Sequence, residues 1–169
     1  MYLGIYELPR RRSKFIICVD GECDPKQTSA GFLKACRFVS IDLGVRIEID
    51  LSELRAGNSG LSQSHFALGT LHYDGADSTY EEIGYILYLK LSMTGNERHY
   101  VQEYKNRYPE FPHQSTLDQF YDEDQFEAYR ALGHHVGMDV FQKELVGDLG
   151  ATTFRSRQWL MRLVEALTK

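Results

Sequence analysis

A chain of 169 residues that is 43% hydrophobic and 25% charged is long enough to bury one ordinary core, and its formal charge of -5 argues against an electrostatic nucleic-acid binder. No apolar run approaches the roughly 20 residues that a membrane-spanning helix needs, and the first residues do not read as a signal peptide. Cys18, Cys23 and Cys36 are odd in number and lack the repeated spacing of a metal site, so they read as reduced structural thiols.

Residues 2–8 have helical periodicity, and Pro9 is expected to end or kink that helix. FIICV at 15–19 is a continuous apolar run bounded by Lys14 and by turn residues from Asp20 to Pro25, which predicts a buried parallel strand. Thr28 or Ser29 is placed to cap a helix running to about Ile41, and Gly44 to stop it. Val45, Ile47, Ile49 and Leu51 alternate with Arg46, Glu48 and Asp50, predicting a second strand that pairs with the first through the crossover helix. After a polar loop over 55–63, residues 65–73 and 84–92 read as two strands of an irregular hairpin, joined by the acidic linker DGADSTYEEI. A helix is expected over 97–108 and a last one over 153–167.

The segment FPHQSTLDQFYDEDQFEAYRAL at 111–132 is the most distinctive of the chain. Pro109 and Pro112 force a turn, and Ser115 and Thr116 precede Asp118 and Gln119 at capping-box spacing, so a short helix is expected from Leu117. Asp122 and Gln125 repeat the pattern and open a second helix over about 123–136. This helix is expected to bury Phe126, Tyr129, Leu132 or Gly133, and Val136, with Phe120 and Tyr121 filling the angle between the two.

Catalytic order is hard to find. The histidines are scattered: His65 and His72 fall in strands, His99 on a helix, and His134 and His135 are adjacent and point apart, without an HExxH or paired CxxC motif. No metal and no cofactor are therefore assigned. Ser59 in Gly57-Asn58-Ser59-Gly60-Leu61 misses the G-x-S-x-G spacing of a nucleophile elbow and does not directly follow a strand. Asp20 is better placed, at the carboxyl end of the first strand where open α/β sheets put their ligands, although without a nucleophile nearby turn-making with Gly21 is its plainer role. His113 is the best single histidine candidate, with a polar cap on the following helix as its plainer role. Gln114, Asp118, Gln119 and Arg130 complete a set of ligand or interaction candidates on the 111–132 segment.

Four ordered blocks, LGIYELPRRRSKFIICVDGECDP, RFVSIDLGVRIEIDLSEL, GYILYLKLSMTGNE and YPEFPHQSTLDQFYDEDQFEAYRALGHH, resemble the C-terminal portion of bacterial patatin-like acyl hydrolases. The resemblance covers the chain from Leu3 to about Val136 and leaves the final helix out. It implies an α/β fold holding a partial patatin-like sheet of about four strands, a parallel pair plus a hairpin, with flanking and C-terminal helices. One domain is expected, with sheet and helices over 1–92 and a helical extension over 97–169. Enzymes of that family hydrolyse lipid acyl esters with a Ser-Asp dyad, the serine in a G-x-S-x-G elbow and the aspartate in a D-G-G or D-G-A turn. By block order both members would lie upstream of Met1. Asp20-Gly21 resembles the dyad turn only locally, and Pro9 replaces an expected leucine.

The resemblance thus implies a non-catalytic C-terminal part of a lipid acyl hydrolase, inactive alone. Its expected partners are an N-terminal catalytic segment or a second copy of itself, with a lipid or membrane surface met through the intact enzyme. The expected location is cytoplasmic or peripheral to the inner membrane. The alternative from another class is a stand-alone binding or regulatory module that uses the 111–132 segment as its recognition surface.

Overall fold

The computed structural model describes residues 4–73, 82–115, 117, 120–141 and 156–167. Helix α1 (Glu7–Arg10) follows a turn at 4–6 and contains Pro9 near its start, where early helical amides lack acceptors anyway and a missing N–H is cheap. Pro9 therefore sits inside the helix, which ends one residue later at Arg10 with Arg11 as its C-cap.

Strand β1 (Phe15–Asp20) alternates: Ile16, Cys18 and Asp20 point inward, while Ile17 is 43% and Val19 61% exposed. The continuous apolar run had predicted burial on both faces, but β1 is an edge strand and one of its faces lies open. Helix α2 (Ala30–Leu43) ends as expected at Gly44, which adopts the left-handed conformation at φ +65° that glycine tolerates best. Its start differs from expectation. Ser29 makes no side-chain cap; the carboxylate of Asp24 instead accepts the amides of Thr28 (3.1 Å) and Ser29 (2.7 Å).

Strands β2 (Arg46–Ile49), β3 (Phe66–His72) and β4 (Ile83–Lys90) complete a mixed sheet in the order β1-β4-β3-β2. The β3–β4 hairpin is as expected, but the parallel pair is not β1 with β2. The α2 crossover carries β2 to the far edge, where it runs antiparallel to β3, and β4 takes the place beside β1 with Asp20 opposite Lys90. Consecutive apolar residues of β4 serve opposite faces. Ile86 and Tyr88 pack with Phe32, Ala35 and Val39 of α2, whereas Leu87 and Leu89 pack with residues of three later helices. Those helices are α3 (His99–Arg107), α4 (Glu123–Val140) and α5 (Ser156–Leu167). The architecture is α/β, a four-stranded mixed sheet with flanking helices, and no helix among the described residues is long and apolar enough to cross a membrane.

The 111–132 segment turns at a cis Phe111–Pro112 bond, and the buried Phe111 ring meets Tyr104 and Tyr129 edge-on at 5.1 and 4.9 Å. Asp122 caps α4 as its spacing predicts, accepting the Gln125 amide at 2.7 Å. The buried stripe of α4 is shifted, however, to Ala128, Leu132, Val136 and Val140. Phe126, two positions from Ala128, faces the other way and is 62% exposed. Phe120 is 93% exposed, whereas Tyr121, about half exposed, meets the Tyr129 ring of α4 edge-on at 6.0 Å. The capping box expected before it involves Thr116, Asp118 and Gln119, which lie outside the described residues.

Candidate functional site

The parallel pair β1 and β4 delivers two opposite charges to the same end of the sheet. Asp20 closes β1 and Lys90 closes β4, both buried, with Lys90 Nζ 2.8 Å from Asp20 Oδ2 and 3.4 Å from Asp24 Oδ2. Asp20 also accepts the Tyr88 hydroxyl at 2.5 Å and the Glu22 amide at 2.8 Å. Burial alone would push its carboxyl up, but the Lys90 and Tyr88 donors and the Glu22 amide outweigh burial and hold it below the usual carboxylate value. The same competition lowers Asp24: burial opposes, while the Ser29 and Thr28 amides and Lys90 win. Asp24 thereby fixes a loop in which Gln27 (φ +48°) and Ser29 (φ +51°) both take left-handed conformations.

His113 adjoins this cluster. Its carbonyl accepts the Cys23 thiol at 3.0 Å, yet neither nitrogen of its buried ring has a hydrogen-bond partner. Burial first, and then the Lys90 ammonium, hold its pKa below the usual imidazole value, so the ring is neutral. The fold thus brings Asp20 and His113 into one neighbourhood through Lys90, which sequence reasoning did not single out. A signal for it existed: Lys90 ends the apolar run GYILYL as Asp20 ends FIICV, two opposite charges closing two buried strands. Chemically the cluster is saturated. Both Asp20 oxygens and the Lys90 ammonium are engaged with one another or with fixed donors, which suits a structural lock better than acid–base work.

The other candidates lie elsewhere. The Gln114 side-chain carbonyl accepts the Gln125 amide at 3.2 Å, within the turn leading into α4. Arg130 is exposed on α4 and forms a paired contact with Glu127 at 2.6 and 2.7 Å. Asp118 and Gln119 fall outside the described residues. Ser59 accepts the Leu61 amide in an exposed turn. All three cysteines are free; burial pushes Cys18 to about 12 and Cys36 to about 11, so both stay as inert thiols near neutral pH.

A second polar cluster is one that sequence spacing gives no hint of. His65 precedes β3, Glu97 precedes α3 and His135 lies on α4, and one donor atom from each falls within 4.8 Å of the other two. His65 and Glu97 are buried and His135 is half-buried. A cleft of about 490 Å3, lined by Arg98, Tyr100, Arg130, His134, His135 and Met138 among others, opens beside His135. A separate cavity of about 500 Å3, between the starts of β1 and β4 and helix α5, is mostly apolar, with Tyr85 and Lys14 as its polar lining residues and the Lys14 ammonium paired with Glu82.

No protein-family model, no curated protein and no solved structure matches the chain.

Proposed function

We propose that the chain is the non-catalytic C-terminal part of a patatin-like lipid acyl hydrolase, contributing scaffold to an active site whose nucleophile it does not carry. The observation that carries this reading is the open face of β1. A strand at the edge of the sheet with Ile17 and Val19 exposed is poorly protected against association, and a further layer of the parent enzyme is a natural cover. Two other observations fit it. Asp20, whose pair with Gly21 resembles a dyad turn locally, is committed to Lys90 and Tyr88, and the four sequence blocks fall on β1, β2, β4 and the turn into α4.

The test uses the chain alone and the chain co-expressed with a patatin-like segment bearing G-x-S-x-G and the D-G-G turn. The expected result is no hydrolysis of p-nitrophenyl acyl esters by the chain alone, and a co-purifying, active complex with the segment. Ester hydrolysis by the chain alone that is lost in Asp20→Ala would overturn the reading, as would a failure of the two pieces to associate.

A second reading, a stand-alone binding module, is favoured by one feature: Leu117 (91%), Phe120 (93%) and Phe126 (62%) present exposed apolar side chains along the 111–132 segment. A partner held through these residues would be released by Phe120→Ser with Phe126→Ser, while the β1 face would not matter to it.

A further inference from the structure

We propose that His65, Glu97 and His135 form a binding site for a divalent transition-metal ion of the zinc class. This inference rests on side-chain geometry alone and is independent of the patatin-like reading.

Two imidazoles and one carboxylate are the donor set that zinc-class ions take up, and three protein ligands leave a position for water or an exogenous group. His65 Nε2 lies 3.8 Å from Glu97 Oε1, and the two rings meet edge to face with centroids 5.3 Å apart. Metal bonds of 2.0–2.1 Å in a tetrahedron set donors about 3.3 Å apart. Contraction by an ångström or so from the present spacing therefore closes the site, a movement within reach of the half-buried His135.

The surroundings resemble the support that metal ligands usually have. Ser92 Oγ lies 3.2 Å from His65 Nδ1, anchoring the ring from behind and leaving Nε2 as the nitrogen that faces Glu97. Glu97 is held through both oxygens, accepting the Thr94 amide at 2.6 Å and the Gly95 amide at 2.9 Å. Asp139, one turn beyond His135 on α4, adds a second carboxylate whose charge acts on His65. Polar side chains approach both rings: Thr94 Oγ1 is 3.1 Å from His65 Nε2 and Asn96 Oδ1 is 2.9 Å from His135 Nε2. A hydrogen-bond network accounts for those two contacts. It gives no reason for a buried glutamate and two histidines from three separate elements to converge. His135 also lines the cleft that holds Arg98, Glu127 and Arg130, which gives water or an exogenous fourth ligand a way to the site.

The experiment uses the full chain, stripped with EDTA and titrated with zinc by calorimetry and with cobalt(II) by visible absorption. One ion per chain and the d–d bands of a nitrogen- and oxygen-ligated cobalt centre are expected. His135→Ala and the isosteric Glu97→Gln should each weaken binding by at least about tenfold. His99→Ala, an exposed histidine on α3 that belongs to neither the cluster nor the cleft lining, should leave binding unchanged. Far-UV circular dichroism of the metal-free variants separates loss of a ligand from loss of the fold. Failure of the wild-type chain to bind stoichiometrically would overturn the proposal, and so would equal binding by wild type, His135→Ala and Glu97→Gln.

Discussion

Replacing Lys90 by methionine keeps the length and apolar stem of the side chain and removes only the cation, which makes it the sharpest probe of the lock between β1 and β4. Asp20 would remain fully buried, with the Tyr88 hydroxyl and the Glu22 amide as its remaining donors. Breaking one side of a buried pair costs about 3–5 kcal/mol. An independent limit comes from proton uptake, because a stranded carboxylate can escape its penalty by protonating. From an unfolded value near 3.9, that escape costs about 1.36 × 3.1, or roughly 4 kcal/mol, at pH 7, and about 1.5 kcal/mol at pH 5. The deficit of the variant should therefore shrink in acid. The sign follows from Asp20 itself: in wild type its lowered pKa stabilises the fold above the unfolded value, and in the variant burial raises it, so the penalty is present at neutral pH and lost as pH falls through the raised value. With a urea slope of about 2 kcal/mol/M, the unfolding midpoint at pH 7 should fall by about 2 M. Lys90→Met combined with Asp20→Asn should recover most of this loss, because no buried charge is stranded at position 20. A loss below about 1 kcal/mol at pH 7, or one that does not shrink at pH 5, would refute the argument.

Three further outcomes are expected. A Cβ at Gly69 would sit 2.6 Å from the Glu48 carbonyl oxygen and 2.7 Å from Ile49 Cβ, so Gly69→Ala should push β2 off β3. The cost should be about 1–3 kcal/mol in urea unfolding, and a change inside half a kcal/mol would contradict the register. Asp122→Ala removes the cap of α4 and should cost about 1 kcal/mol, lowering the thermal midpoint by a few degrees, while Asp122→Ser retains most of it; equal midpoints for the two variants would contradict the cap. His113 is neutral in the fold with a lowered pKa, so its contribution is complete above the unfolded value near 6.5 and is lost as pH falls from there toward the folded value. His113→Gln should flatten the decline of the urea midpoint between about pH 7 and 5, and superimposable profiles would rule this out.

What could be read from the sequence was what is encoded locally. The alternation through β4, the left-handed stop at Gly44 and the cap at Asp122 each involve residues within a turn or a strand of one another, and each was predictable from period and residue type. Strand order was not, because FIICV carries no mark of whether its neighbour is β2 or β4, and the answer depends on which pairing buries more of both faces. The start of α2 failed for a related reason. Thr28 and Ser29 have the composition of a cap, but Asp24 accepts their own backbone amides, and Ser29 sits in a left-handed conformation from which its side chain does not cap the helix. Phe126 failed because two helical stripes were compatible with its spacing, and the one containing the small Ala128 lets α4 approach α3 and the sheet.

Both polar clusters escaped local reasoning, and they share an origin in the segment that leaves β4. Lys90 turns toward α2 and meets Asp20 and Asp24, whereas Ser92, Thr94 and Glu97 lie further along the same stretch and meet His65. Eight residues thus supply the cation of one cluster and most of the polar contacts of the other. In the first cluster the Lys90 ammonium stands between two carboxylates and pairs with both, which is what a lock requires. In the second, two imidazoles and a carboxylate meet around the Thr94 hydroxyl and the Asn96 amide oxygen, with no lysine or arginine bonded to Glu97 among the described residues. A fixed lysine in one and none in the other separates a site that is already complete from one that has room for an ion.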